Sequence, residues 1–561
     1  MTPIFVIKLS VKSLSILRKR SRGVSSHTEN QTMEIYCKPF AEIDQLSGFD
    51  KAYAAADAAL RPFYKYDVNL DSFQTIIDTK KANPIDRQTL VEVLREQYAD
   101  IETNEKVRQN IEALLDENTF TVITAHQPSL FTGPLYFIYK TITALNLAES
   151  LNKKYPNHHI VPIFLIGGED HDFEEINHLH LFNKTITWKN DENGATGMMQ
   201  TATLEPVLTE VKEILGTSEN AQKIYAILEK CFTQYSTYGK AMFALTNELF
   251  KEFGLVVIAP NHAKLKRLFI PIIKDELQNQ VSKPLVEAEI AKKEAAGFSG
   301  QAFVREINLF YLMPNLRERI IFENGVYKVL NTEYEFTPEA MMAEVENHPE
   351  RFSPNVILRP VYQEAILPNL AYIGGGGELS YWTERQPQFE HFKVPFPMLV
   401  RRNSVLWVDK GSSKKLNKLG LTIDDLFGDV EVLIKRYVRE NTDEELSLKE
   451  AKIAVNQAFD QILAKATAID TTLKKTVLGE RTKQINAINM LEGRLLKAEK
   501  RNHDIAVNQI RNLKDKLFAN NGLQERYDNF LPFYLKHGDS FIQTLKDNLE
   551  PLNRDFVVIF E

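Results

Sequence analysis

The densest group of ionisable residues in the chain follows an apolar run and two glycines. Its members are Glu169, Asp170, His171, Asp172, Glu174 and Glu175. Carboxylates gathered at one strand end can hold an ammonium group or Mg²⁺, and they can orient a histidine for proton transfer. We therefore predict a catalytic cluster in which His171 accepts a proton and the acids at 170, 172 and 174 hold the cation. Glu169 is predicted to contact substrate, and solvated loop acids are the alternative.

The loop 126–134 is a second candidate because it joins an apolar, β-rich run to a helical one. Such a loop lies at the carboxyl end of a strand and the start of a helix, where free N–H groups favour anions. Its sequence HQPSLFTGP matches neither a Walker A motif nor a dinucleotide fingerprint. We predict contacts to a phosphate or carboxylate, and a plain loop-to-helix junction is the alternative. The predicted contacts are His126, Gln127, Thr132 and Gly133.

Four consecutive glycines at 374–377 mark the third candidate. Glycine lets the backbone approach a ligand closely, so Gly375 and Gly377 are predicted to bind a phosphate or a sugar. Glu378 is predicted to accept a hydrogen bond from a ligand hydroxyl or amine. Tyr381 and Trp382 would form a stacking wall beside it, and a flexible loop is the alternative.

Further polar residues flank this glycine run. Arg359 and Gln363 precede it and are predicted to reach the same ligand. Arg401 and Arg402 follow the next apolar run, and tandem arginines usually divide into one inward and one solvated side chain. We therefore predict that one of the pair, Arg401, clamps an anion.

Alternating strands and helices must position these loops. The apolar runs lie at 119–125, 160–166, 254–260, 359–382 and 396–408. Helical patterns separate them, and continuous apolar strands of this kind indicate a parallel sheet covered on both faces. The sequence therefore predicts an α/β fold, an interrupted, doubly wound parallel sheet at 119–409.

The segments around the sheet differ from it in character. In order, we predict a disordered basic extension at 1–32, a helical region at 33–118, sheet insertions at about 181–250 and 281–350, a connector at 410–447, a coiled-coil arm at 448–522 and a C-terminal segment at 523–561 that packs back on the core. Within the second insertion, residues 320–330 are predicted to form a strand, a turn and a strand.

The coiled-coil prediction rests on a seam of apolar residues spaced by three or four, from Val455 to Leu473 and again from Ile485 to Ala498. A second helix at 506–517 can cover only part of this seam. Since an apolar seam is unstable in water, we predict a homodimer joined by the arms. The arm is also basic, which usually reflects a solvated helix face.

Composition excludes several classes of protein. Of the 561 residues, 43% are hydrophobic and 25% are charged, as in soluble globular proteins. Two cysteines, Cys37 and Cys231, are too few for a disulfide framework and suit the cytoplasm. The histidine spacing matches no zinc motif, so no metal site is predicted from it. No apolar run is long enough to cross a membrane.

Charge is uneven along the chain. The net charge is −7, which argues against nucleic acid as a partner, yet residues 1–32 hold six Lys or Arg and one acid. That basic stretch lacks the order of a signal peptide. A chain that truly starts at Met33 is one interpretation of it.

Six stretches of the sequence together resemble a known family. They are TAHQPSLFTGPLYFIYKTITAL, FLIGGEDHDFEEINH, REINLFYL, SPNVILRPVYQEAILPNLAYIGGGGELSYW, LEGRLLKAEKR and LQER. In this order, from about residue 33 to the C-terminus, they resemble the cysteine-adding enzymes of bacillithiol biosynthesis, the BshC family. The chain departs from the family's common wording at the start of the loop 126–134 and at Gly376, where proline is common.

The resemblance implies a Rossmann-like core akin to class I nucleotidyltransferases, and a helical coiled-coil domain through which two subunits pair. It also implies a ligase that joins the carboxyl group of L-cysteine to the amino group of glucosaminyl malate, completing bacillithiol, a low-molecular-weight thiol. Forming an amide from a carboxylate requires activation, so ATP or ADP with Mg²⁺ is the implied cofactor. The two-histidine signature of class I nucleotidyltransferases is absent from the sequence, so a complete adenylation mechanism is not implied.

A protein of another class remains the alternative. A non-catalytic scaffold would bind a metabolite in the sheet domain and dimerise through its coiled coil. A protein that processes nucleic acid ranks third, because the chain as a whole is acidic.

Overall fold

A computed structural model describes residues 33–442 and 447–561, so the predicted extension at 1–32 lies outside the described residues. At its centre is a five-stranded sheet in which every strand runs parallel to its neighbours. In chain order, the first to fifth core strands are Thr119–His126, His159–Ile166, Val256–Ile258, Asn369–Gly374 and Met398–Arg401. Across the sheet the order is third, second, first, fourth, fifth, which is a doubly wound, Rossmann-like order. The predicted fold class is confirmed.

The core strands are apolar along their length because helices cover both faces of the sheet. All but one residue of the second core strand, HIVPIFLI, are buried. Helix Tyr136–Lys154 connects the first two strands and is largely buried itself. The first core strand lies between the second and the fourth, so the chain winds away from it in both directions. Ligands of such sheets bind at this switch point, beyond the carboxyl ends of the strands.

Two insertions interrupt the core. The first contains the antiparallel pair His178–Leu181 and Lys184–Thr187, followed by helices Glu205–Leu215, Glu219–Gln234 and Tyr238–Phe250. Helix Ala263–Asn279 follows the third core strand and helix Ser282–Ala295 begins the second insertion. The second insertion also contains helix Pro338–Asn347 and an antiparallel sheet. The strands of this sheet are Leu309–Met313, Leu316–Glu323, Val326–Val329, Glu335–Phe336 and Phe352–Pro354.

The strand, turn and strand predicted at 320–330 are present. Strands Leu316–Glu323 and Val326–Val329 pair antiparallel around Asn324 and Gly325. Both turn residues have left-handed backbone conformations, with φ of 54° and 84°. An Asn-Gly pair adopts these angles readily, and they match the twist of a hairpin.

The N-terminal region differs from the all-helical prediction. It contains helices Gly48–Ala54, Phe73–Ala82, Arg87–Gln97 and Glu105–Ala113, but it opens with strand Glu34–Pro39. That strand pairs antiparallel with the C-terminal strand Asp555–Phe560, which in turn pairs parallel with Val405–Val408. The run 396–408 is thus divided between two sheets. Local periodicity misses the strand at 34–39, because its partner lies at the other end of the chain.

The C-terminal part is helical until the last strand. Its helices are Lys410–Leu419, Val430–Glu440, Lys449–Ile469, Leu473–Asn502, Asp504–Leu517, Leu531–His537 and Ser540–Asn548. The third and fourth of these pack side by side as a hairpin. Short core helices Arg359–Ile366, Gly376–Trp382 and Gln386–His391 flank the fourth core strand. No helix within the described ranges is long and apolar enough to cross a membrane.

The predicted seam from Val455 to Leu473 is interrupted by the hairpin turn. Helix Lys449–Ile469 ends before Asp470, whose side chain accepts hydrogen bonds from the N–H and hydroxyl of Thr472, both at 2.8 Å. Leu473 therefore begins the second helix of the hairpin. The helix expected to cover the seam, Asp504–Leu517, instead buries its apolar face in a core beside the small three-stranded sheet.

Candidate active site

A cleft of about 660 Å³ opens at the switch point of the core sheet. Loops after the first, second and fourth core strands form it, and the second insertion and the C-terminal segment close its sides. Nine of the predicted site residues line it: His126, Gln127, Glu169, Asp170, Arg359, Gly375, Gly377, Glu378 and Tyr381. The three sequence-derived loops therefore contribute to one site.

His126 ends the first core strand and is held in one tautomer. Its Nδ1 lies 2.9 Å from the carbonyl oxygen of Gln127, which can only accept, so Nδ1 carries the proton. Burial and the nearby positive charge of Lys140 lower the pKa of His126 to about 4. The imidazole is therefore neutral at pH 7, and its Nε2 lone pair can accept a hydrogen bond.

The rest of the first loop turns inward. Phe131, Thr132 and Gly133 all have positive φ, and the side-chain amide of Asn529 donates to the carbonyl oxygens of Phe131 at 3.0 Å and Gly133 at 2.6 Å. Thr132 is fully buried. The predicted anion contacts of Thr132 and Gly133 are therefore wrong, because the C-terminal segment binds this turn and holds it away from the cleft.

Asp170 is one of the acids of the cluster that line the cleft. Gln127 Nε2 donates to Asp170 at 2.8 Å and to Glu175 at 2.9 Å, and the backbone N–H of His171 donates to Asp170 at 2.7 Å. Arg317 Nη1 lies 3.4 Å from the Asp170 carboxylate. Burial opposes ionisation, but Arg317 and these hydrogen bonds outweigh it and lower the pKa of Asp170. Asp170 is thus a fixed carboxylate.

His171, Asp172 and Glu174 do not line the cleft. Arg317 donates to His171 Nδ1 at 2.5 Å, so the lone pair that would accept a proton is occupied. Asp172 caps the short helix Phe173–Ile176 by accepting from the N–H of Glu175 at 3.2 Å. Glu174 is exposed. The catalytic roles predicted for these three residues therefore do not fit the geometry.

The predicted Mg²⁺ ligands do not converge either. Of the acids at 170, 172 and 174 only the first faces the cleft, and among the described residues no group of three or more His, Cys, Asp or Glu is arranged to hold a metal ion. Glu169 does line the cleft, but Lys266 lies 2.6 Å from one carboxylate oxygen and Ser353 donates to the other at 2.8 Å. We therefore derive no step through a protein-bound Mg²⁺.

The glycine run is the junction between the fourth core strand and helix Gly376–Trp382, not a loose loop. Gly376 is required there because a Cβ would overlap the carboxylate of Asp50. Glu378 forms an ion pair with Lys140 at 3.0 Å. Its carboxylate therefore has less capacity than predicted to accept a hydrogen bond from a ligand. Trp382 is buried and stacks on Tyr372 at 4.4 Å, so only Tyr381 of the predicted stacking wall faces the cleft.

Arg402, and not Arg401, lines the cleft. Arg401 is buried against Asp50, with its Nε donating at 2.6 Å, so it does not clamp a ligand. Arg402 donates to the buried carboxylate of Glu525 at 2.8 Å. Which of the two consecutive arginines faces the cleft depends on the residue at which the fifth core strand ends. The sequence does not define that residue.

Arg359 keeps the place predicted for it. Its guanidinium donates to Tyr381 Oη at 2.5 Å and to Gln363 Oε1 at 3.2 Å. Gln363 is fully buried and does not line the cleft, so it orients Arg359 and does not touch a ligand. Arg359 is thereby fixed at the wall with a direction set by two neutral partners.

Several lining residues are not among the predicted contacts, although Glu175 and Arg402 lie directly beside predicted ones. They are Tyr136, Glu175, Arg317, Arg402 and Arg526. Arg317 comes from the second insertion and Arg526 from the C-terminal segment, so only tertiary structure brings them to the core. Within residues 33–442 and 447–561, Arg359 and Arg526 form no salt bridge with a carboxylate. Their positive charge is available to an anionic ligand.

The chain has a Rossmann-like sheet with a charged cleft at its switch point, and a helical hairpin domain is joined to that sheet. These features define a class of protein, the α/β proteins that bind a small polar molecule. The chain belongs to the BshC family of bacillithiol biosynthesis. Residues 33–403 match the family's N-terminal Rossmann-like domain and residues 405–561 match its C-terminal coiled-coil domain. The boundary falls where the chain passes from the core sheet to the small sheet.

Several relatives carry the same name, "Putative cysteine ligase BshC". One from Flavobacterium psychrophilum is 41% identical over 503 residues, covering 89% of this chain and 94% of the relative. One from Flavobacterium johnsoniae is 40% identical over 90% of this chain and 96% of its own. One from Christiangramia forsetii is 39% identical over 94% of this chain and 99% of its own.

Proposed function

We propose that this protein is a ligase that joins the carboxyl group of L-cysteine to the amino group of glucosaminyl malate, the step that completes bacillithiol. The observation that carries the proposal is the cleft at the switch point, where guanidinium groups without carboxylate partners face a fixed carboxylate. Its volume of about 660 Å³ suits a substrate of this size. The name of its relatives supports cysteine as the amino acid.

The arginine side of the cleft binds the anionic groups. Arg359 and Arg526 supply positive charge, and Arg402 is fixed beside them by its ion pair with Glu525. Guanidinium groups bind carboxylates and phosphates through paired hydrogen bonds. The same side chains therefore suit the malyl carboxylates of the sugar and the phosphates of a nucleotide.

Asp170 and His126 are assigned to the amine groups of the two substrates. Asp170 stays ionised and faces an ammonium group, while Gln127 fixes its position. His126 also lines the cleft and is neutral, so its Nε2 accepts a hydrogen bond from the attacking amine. This arrangement orients an amine towards a carboxyl carbon without a charged histidine.

Joining a carboxylate to an ammonium group removes one carboxylate oxygen and two ammonium protons. This oxygen must be converted into a leaving group, and we propose ATP as the donor of the phosphoryl or adenylyl group that leaves with it, because the arginines of the cleft suit phosphate. The chain's own residues bind the two substrates, keep the amine hydrogen-bonded to His126 and hold the carboxyl group in place.

The proposal is tested with purified protein, L-cysteine and glucosaminyl malate, incubated with Mg-ATP, with Mg-ADP or without nucleotide. We expect a product with the mass of the two substrates less water, detected by mass spectrometry, and made only with a nucleotide that can activate a carboxylate. Absence of this product under every nucleotide condition would contradict the proposed function. A scaffold protein, the alternative from another class, would give that result.

A further inference from the structure

The cleft has an apolar floor at the ends of the first three core strands. Ala125 pairs with Leu165 across two strands, Leu165 pairs with Ile258, and Pro260 follows the third strand. Tyr362, from the helix before the fourth core strand, closes the floor. Ala125, Leu165 and Tyr362 are only 5%, 1% and 2% exposed. These three residues and Pro260 all line the cleft.

This floor offers a ligand no hydrogen-bond donor. The hydroxyl of Tyr362 donates to the carbonyl oxygen of Pro260 at 2.6 Å, so the phenolic proton is occupied. The side chains of Leu165 and Ala125 carry no donor or acceptor. The oxygen of a hydroxyl placed here would lose its hydrogen bonds from water without a replacement donor, whereas an apolar group would lose none.

Carboxylates border the floor. Glu169 follows the second core strand, and its partner Lys266 lies 4.9 Å from the centre of the Tyr362 ring. Asp170 comes next in the chain and also lines the cleft. A small apolar surface beside carboxylates is the arrangement expected for the side chain and the ammonium group of an amino acid.

We propose that Leu165, Pro260 and Tyr362 form the subsite for the thiol side chain of cysteine, with Asp170 facing its ammonium group. This assignment rests on the proposed function. Glucosaminyl malate has no apolar side chain to place on the floor. A thiol is a weak hydrogen-bond donor that packs as a small apolar group, so the floor selects cysteine over serine.

The first test uses the unmodified protein and three amino acids of similar size: cysteine, 2-aminobutyrate and serine. Because 2-aminobutyrate replaces the thiol with a methyl group, we expect it to form amide about tenfold to a hundredfold more efficiently than serine, as kcat/KM. Equal or better use of serine would overturn the subsite alone. Absence of amide with all three amino acids would overturn the proposed function and the subsite with it.

The second test changes one atom of the floor. Tyr362→Phe removes the hydroxyl and frees the Pro260 carbonyl to accept a hydrogen bond from serine, so we expect the preference for cysteine over serine to fall about tenfold. Tyr53→Phe is the matched control, because the buried Tyr53 hydroxyl donates to Leu399 O at 2.8 Å outside the cleft. An unchanged preference in folded Tyr362→Phe would overturn the assignment of this wall.

Discussion

Lys140 and Glu378 join the two core strands on either side of the switch point. The Lys140 ammonium donates to the carbonyl oxygen of Ala125, at the end of the first strand, at 2.6 Å, and to both carboxylate oxygens of Glu378 at 3.0 Å. Glu378 follows the fourth strand and also accepts from Tyr372 Oη at 2.6 Å and the Gly375 N–H at 2.8 Å. This pair links the ends of the two strands that border the cleft.

Replacement of Lys140 by methionine should destabilise the fold. The side chain of Lys140 is fully buried, so its loss leaves Glu378 without its charged partner, and we expect the free energy of unfolding to fall by about 3 kcal/mol. Denaturant titration measures this change. Lys153→Met is the control, since the exposed pair of Lys153 with Glu149 contributes under about 0.5 kcal/mol. Equal losses in both variants would contradict the role of Lys140.

The stabilisation from Glu378 should depend on acid pH. Burial raises the pKa of Glu378, but Lys140 and the hydrogen bonds outweigh it and lower the pKa to about 2, below the value of about 4.3 in an unfolded chain. The stabilisation is complete above the unfolded pKa and is lost as the pH falls through the folded one. The stability difference between the unmodified protein and Glu378→Gln should therefore shrink below about pH 4. A difference that stays constant down to pH 2 would argue against the ion pair.

Arg526→Gln should weaken substrate binding without unfolding the protein. Arg526 is exposed and forms no salt bridge within the described ranges, so its removal breaks no ion pair. We expect KM for the anionic substrate to rise about 10- to 100-fold with little change in kcat. Steady-state kinetics measures both, and Arg481→Gln on the distant hairpin is the control. An unchanged KM would remove Arg526 from the site.

Asp170→Asn separates an enzyme from a scaffold. The substitution keeps the shape of the side chain and removes the charge that faces the ammonium group, so kcat/KM should fall about 10- to 100-fold. Asp172→Asn is a matched control, because asparagine caps a helix as well as aspartate does and Asp172 lies outside the cleft. In cells, a thiol level that Asp170→Asn leaves unchanged would favour the scaffold.

The hairpin should pair two subunits. Ile453, Ile462, Ile469, Met490 and Leu491 remain exposed on its helices, and no residue of either helix is buried. We expect the unmodified protein to be a dimer in light scattering, and Ile462→Asp with Ile469→Asp to be a monomer with an unchanged circular dichroism spectrum. A monomeric unmodified protein at micromolar concentration would show that dimerisation is wrong.

Local sequence patterns predict the core strands and the loops after them. The first core strand is predicted at 119–125 and observed at Thr119–His126, because its apolar run is local and continuous. From such strands the carboxyl edge of the sheet follows, and with it the grouping of His126, Asp170 and Glu378 in one cleft.

Residues whose position depends on distant contacts escape sequence reasoning. Arg317 reaches the cleft from an insertion hairpin, and Arg402 differs from Arg401 only in the direction in which each leaves the strand. The hairpin turn had a local signal, since Asp470 followed by two threonines favours a turn. The apolar spacing continues through this turn to Leu473, and it therefore predicted an uninterrupted helix there.

The central claim is that the carboxyl group of cysteine becomes an amide, and heavy-oxygen labelling of that carboxyl group tests it most directly. The purified protein is incubated with labelled cysteine, glucosaminyl malate and Mg-ATP, and the molecular mass of the product is measured by mass spectrometry. The account predicts that the product keeps one of the two labelled oxygens, with the other recovered in the phosphate or nucleotide product. A product that keeps both labelled oxygens would contradict the account, because cysteine would then be attached through another group.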